Sequence, residues 1–141
     1  MLKTLIAKLA ASGAVGASAL VLAAAPVSAA SSLSASSTVT VGVGGSATVT
    51  GTATCGTDYT GVIDVQLQEL GGINGSAKVG VGATAITCDG ALHNWSVVVP
   101  TSHQGPFTAP GSGFVVAQMP ATTGLLNNLN ALTDQHGVTF Q

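Results

Sequence analysis

Residues 47–55 alternate without a break: Ala47, Val49, Gly51, Ala53 and Cys55 are small and apolar, and Thr48, Thr50, Thr52 and Thr54 between them carry hydroxyls. Successive side chains of a β-strand point to opposite faces, so this period of two predicts a strand that buries Ala, Val and Cys and turns threonine to water. The same rhythm runs through 38–43, through 95–99, and through 62–70, where Ile63, Val65 and Leu67 alternate with Asp64, Gln66 and Gln68. Segments 77–88, 113–118 and 137–140 are further candidates, which makes about seven strands. Turn chemistry lies between them: Gly44-Gly45, Gly56 with Asp58, Asn74-Gly75, Asp89-Gly90, Gly105-Pro106 and Pro110-Gly111. Asn74-Gly75 between two apolar runs predicts a hairpin, because both residues tolerate the positive φ that a tight turn requires. Turns this short join antiparallel neighbours, whereas a parallel connection needs a crossover. The expectation is an all-β, antiparallel β-sandwich, favoured over a small barrel.

Two segments lack the rhythm. Residues 30–37 are Ser and Ala around Leu33, too poor in large apolar groups to pack alone, and read as a flexible lead-in. The organised domain is then 38–141. Residues 119–137 form a long connection in which Leu125, Leu126, Leu129 and Leu132 are spaced close to one face of a short helix. These leucines are expected to cap the open end of the domain; alternatively, Leu125 and Leu129 line an apolar cleft with Phe107 and Phe114. The strings Val41-Gly42-Val43-Gly44 and Val79-Gly80-Val81-Gly82 repeat one another and are assigned to similar strand demands.

The first residues change the setting. Lys3 and Lys8 precede an apolar run that ends at Pro26, Val27, Ser28 and Ala29, the layout of a secretory signal peptide cut after Ala29. The run contains Ser12, Gly13, Gly16 and Ser18 and stops at a proline, which suits a cleaved leader better than a membrane anchor. Removing 1–29 leaves one domain's length of chain, with Lys78 as its only cation against Asp58, Asp64, Glu69, Asp89 and Asp134. A surface of that sign cannot neutralise a row of phosphates, which excludes nucleic acid and anionic membrane as expected partners. Solubility falls to threonine, serine, asparagine and glutamine, as in an extracellular or cell-wall protein.

Export places Cys55 and Cys88 in an oxidising compartment, where two cysteines allow one intramolecular bridge. Closing that loop stabilises the fold by about 4 kcal/mol through chain entropy. Candidate chemistry is sparse. No serine has glycine both two before and two after it, so the nucleophile elbow is missing, and no enzyme activity is expected. His93, His103 and His136 fall in or beside proposed turns and read as surface groups. Together with Asp89 and Asp134 they do not group into a ligand set of metal-site spacing, and no metal or other cofactor is expected. Asp58 and Asp89 stand near the two cysteines and read as Asx-turn residues closing strands rather than as a calcium site. Asn74-Gly75-Ser76 and Asn94-Trp95-Ser96 match the glycosylation acceptor pattern; the first is explained by its turn. Trp95 opens an apolar strand face with Val97 and Val99 and is read as a core anchor.

Thr48-Val49-Thr50-Gly51-Thr52-Ala53-Thr54-Cys55 and Cys88-Asp89-Gly90, followed by His93-Asn94-Trp95-Ser96-Val97-Val98-Val99 behind a leader, resemble small secreted immunoglobulin-like proteins of actinobacterial type. The overall layout and the closing Gly137-Val138-Thr139-Phe140 are also similar to the apoproteins of the neocarzinostatin family, which hold an apolar chromophore in a cleft at the end of a sandwich. Both resemblances imply an immunoglobulin-like fold. In antibody-type domains a tryptophan lies between the cysteines, whereas Trp95 follows Cys88, so the bridge is expected to tie the end of the second strand to the end of the fourth. The function expected is that of a secreted, non-enzymatic immunoglobulin-like module binding a protein or an envelope polymer; the alternative is a carrier of a small apolar ligand near 119–137.

Overall fold

A computed structural model of the chain describes residues 30–71, 76–101, 103–122 and 131–141. The signal-peptide segment 1–29, the turn Asn74-Gly75, and Leu125, Leu126 and Leu129 lie outside the described residues. Eight strands are present and no helix among the described residues: β1 (Ser32–Ala35), β2 (Thr38–Val41), β3 (Ala47–Thr54), β4 (Val62–Glu69), β5 (Lys78–Ala85), β6 (Leu92–Val99), β7 (Gly111–Met119) and β8 (Leu132–Phe140).

The strands pair in the order β1-β3-β2-β8-β7-β4-β5, with β6 on the other side of β3. All pairings are antiparallel except β2 with β8. β2 joins two ladders. Its start runs parallel to the end of β8, with Val39 opposite Phe140, and its end runs antiparallel to β3, with Val41 opposite Ala47. β3 and β6 pair along their whole length, as do β4 with β5 and β7 with β8.

The period of two decides what is buried. Ala47, Val49 and Ala53 of β3, Trp95, Val97 and Val99 of β6, Ile63, Val65 and Leu67 of β4, and Val115, Ala117 and Met119 of β7 belong to one core cluster. Each fully buried large side chain contributes roughly 1.5–3 kcal/mol. Phe107 and Phe140 stack within the core at 5.9 Å between ring centroids. The disulfide joins Cys55, just past β3, to Cys88, three residues past β5, as the sequence leads one to expect. The Gly90 amide also donates to the Cys55 carbonyl at 2.9 Å, so the bridged end is closed by backbone as well as sulfur.

Three features differ from the sequence reading. β1 forms within the Ser/Ala lead-in, because backbone pairing with Gly51–Thr54 and burial of Ala35 compensate for its small side chains. β8 begins at Leu132, well before Gly137, so Leu132 is a strand residue. The Val-Gly string of β5 turns its glycines inward and its valines outward. A Cβ on Gly80 would lie 2.5 Å from a Val99 methyl and 2.9 Å from the Phe107 ring, and one on Gly82 would lie 2.5 Å from a Val97 methyl. Glycine lets β5 approach β6 closely without pairing to it, and Val81 is left 67% exposed.

A candidate binding face on β5, β4, β7 and β8

The side chains that the core rejects on β4, β5, β7 and β8 form a second surface. Register fixes its rows. Val81, Gln66, Val116 and Gln135 lie side by side across the four strands. The row on one side is Val79, Gln68, Phe114 and Gly137, and the row on the other is Ala83, Asp64, Gln118 and Thr133. A depression of about 480 Å³ lies over Asp64, Gln66, Val81, Ala83, Val116 and Gln118. A smaller one of about 220 Å³ lies over Gln66, Gln68, Phe114, Val116 and Gln135. Gln66 and Val116 border both, so the two shallow depressions adjoin on this face. Their floor is aliphatic, Phe114 is 45% exposed on it, and their polar groups are four amides and one carboxylate.

A wider depression of about 580 Å³ lies over β1, β3 and β6, where Ser34, Ser36, Thr50, Thr52, Asn94 and Ser96 supply the polar side chains. The largest apolar residue there, Trp95, is 4% exposed. That face also carries exposed Leu92 and Val98, at the ends of the Asn94–Ser96 row; the glutamine face differs from it in having an exposed aromatic ring, Phe114, and amides in place of hydroxyls.

Among the described residues, the sequence-predicted cleft residues Phe107 and Phe114 do not come together. Phe107 is buried against Phe140, and Phe114 stands on the outer glutamine face. Leu125 and Leu129, the other two residues of that expected cleft, lie outside the described residues. Trp95 is in the core, as its strand pattern predicts; its indole Nε1 has no acceptor among the described residues. Asp89 closes an Asx turn, its Oδ1 accepting from the Ala91 amide at 3.0 Å and lying 2.8 Å from His93 Nε2. The His93 hydrogen bond, followed by the Ala91 amide, holds the Asp89 carboxyl below the usual range. Asp58 instead offers its backbone carbonyl to the Thr122 amide. No group of three or more His, Cys, Asp or Glu side chains suited to a metal ion occurs among the described residues.

Two polar constellations escape the sequence reading. Glu69 ends β4 on its buried face. Its Oε1 accepts from the Thr108 amide at 2.9 Å and the Thr108 hydroxyl at 2.7 Å, and its Oε2 lies 2.9 Å from Lys78 Nζ. Burial pushes this carboxyl up, but the bonds from Lys78 and Thr108 together outweigh burial and hold it below its ordinary value. Glu69 and Lys78 are direct cross-strand partners; a two-residue turn at Asn74-Gly75 would instead set Glu69 opposite Gly80, so the predicted hairpin does not foretell the pair. The other constellation is Asp134 with His136. They are two apart on β8 and share a face, a spacing that acquires meaning only because 132–140 is a strand rather than part of a connection.

Comparison of the chain with models of protein families, with curated proteins and with solved structures finds no match.

Proposed function

We propose that this chain is an exported, non-enzymatic binding module with an immunoglobulin-like sandwich fold, and that it holds a neutral, hydroxyl-rich polymer of the cell envelope on the glutamine face of β5, β4, β7 and β8. The observation that carries this reading is the pair of adjoining depressions in which four glutamines border aliphatic side chains beside the exposed Phe114 ring. An amide donates and accepts at once, so a row of them matches sugar hydroxyls without charge. The C–H faces of a sugar ring are apolar and suit Val116 and Phe114. Asp64 on the face and the scarcity of cations elsewhere disfavour polyanions such as nucleic acid or phosphate-rich wall polymers.

The immunoglobulin-like assignment rests on the shared β2 strand, which leaves one ladder for the other, and on the single core between them. The disulfide and the leader-like start are compatible with an extracellular setting. Titration of the isotope-labelled protein with soluble neutral glycan fragments from the producing cells tests the reading by NMR. Amide shifts confined to Gln66, Gln68, Val116, Gln118 and Gln135 are expected. Shifts centred on Thr50, Thr52 and Ser96, or none, would overturn it.

A further inference from the structure

β1 is held in place from two sides. Its backbone pairs with β3, Ala35 standing opposite Gly51 and Ser32 opposite Thr54. From β8, Asp134 Oδ2 accepts the Ala35 amide hydrogen at 2.7 Å, and His136 Nε2 lies 2.9 Å from the Ala35 carbonyl oxygen. Two side chains thus take the places that a neighbouring strand's carbonyl and amide would occupy. His136 Nε2 is also 3.2 Å from Asp134 Oδ2, and Nδ1 lies 3.0 Å from the Gly137 carbonyl oxygen. Both ring nitrogens therefore face oxygens that only accept. A neutral imidazole carries one hydrogen and must set a lone pair against one of those oxygens, whereas the imidazolium donates from both nitrogens.

We infer that Asp134 and His136 form a pH-dependent clamp on the first strand, closed on the backbone of Ala35 when the imidazole is protonated and loosened when it is neutral. Among the described residues, Asp134 is the only other charged group at this point. β1, β2 and β7, the strands packed against β8, contain no titratable side chain. The hydrogen bond to the Gly137 carbonyl is the largest influence on the ring and raises its pKa; partial burial opposes it, and the Ala35 carbonyl and Asp134 reinforce it. The sign follows from linkage. A histidine whose folded pKa lies above the ordinary 6.5 adds stability that is complete below 6.5 and is lost as pH rises through the folded value. Loosening frees the β3 edge at Gly51–Thr54 and disturbs Trp95, which pairs with Gly51 from β6 and presses its ring on that glycine.

Proton NMR titration of the protein's three histidines, combined with hydrogen exchange at the Ala35 amide corrected for intrinsic pH dependence, tests the clamp. His136 is expected to titrate above 6.5, and Ala35 protection to fall through the same midpoint. The total loss should approach about tenfold for each pH unit by which that midpoint exceeds 6.5. The fluorescence of Trp95 should change with it. His136→Gln, which has no proton to lose in this range, should flatten the Ala35 profile, and Asp134→Asn should lower the His136 midpoint. A His136 midpoint at or below 6.5, or Ala35 protection that does not change across it, would overturn the clamp; both are read on the unmodified protein.

Discussion

At the level of single residues, the most consequential are those that a hydrophobic pattern passes over. Gly80 reads as a gap between two valines, yet it lets β5 close on Val99 and Phe107. Gly80→Ala is expected to lower stability by about 1–3 kcal/mol through overpacking. Val81→Ala next to it, on the exposed side, should stay within about 0.5 kcal/mol; urea denaturation of the two variants compares them directly. Glu69 is read as one more polar end of a strand, but it gathers Lys78 and both donors of Thr108 in a buried position. Its folded pKa lies below the ordinary 4.5, so it adds stability that is complete above 4.5 and disappears as pH falls through the folded value. Glu69→Gln should cost about 1–3 kcal/mol at neutral pH and remove part of the acid-induced loss of stability that the parent protein shows in melts below pH 4.5.

Among the elements, the strands with an unmixed alternation were legible in the sequence. In β4, Ile63, Val65 and Leu67 are buried and Asp64 and Gln66 exposed, and β6 behaves alike because one apolar face leaves a single workable register; β3 buries Ala47, Val49 and Ala53 as expected, but its last threonine, Thr54, is buried rather than turned to water, covered by the pairing of β1 and β6 on either side of it. β1 was not legible, since Ser and Ala carry no periodic signal and its place depends on partners far away in sequence, on β3 and β8. The start of β8 was hidden for a related reason: Thr133, Asp134, Gln135 and His136 are all polar, so burial of one face by another strand cannot be seen from composition. The glutamine face was half legible. The alternation places Gln66, Gln68 and Gln118 outward, but only the pairing of β7 with both β4 and β8 brings Phe114, Val116 and Gln135 beside them. The bridge also acts at this scale, since Cys55 and Cys88 tie the exit of β3 to the segment after β5. Reduction, or Cys88→Ser, is expected to lower stability by up to about 4 kcal/mol without changing which strands pair, seen as an earlier thermal midpoint with an unchanged far-ultraviolet circular dichroism spectrum before melting.

For the whole molecule, one core serves two unlike surfaces. The face of β1, β3 and β6 is hydroxylated between exposed Leu92 and Val98, and the face of β5, β4, β7 and β8 joins amides to exposed Val81 and Phe114. Charge is nearly absent from both, which removes electrostatic steering and leaves recognition to shape, hydrogen bonding and apolar contact. The most direct measurement is co-sedimentation of the purified protein with the insoluble wall fraction of the producing cells, beside a Gln66→Glu/Val116→Lys variant and a Thr50→Lys control on the opposite face. The parent protein and the control should pellet with the wall, and the double variant, folded by circular dichroism, should stay in the supernatant. A parent protein that stays in solution, or a folded double variant that pellets equally, would contradict binding through the glutamine face.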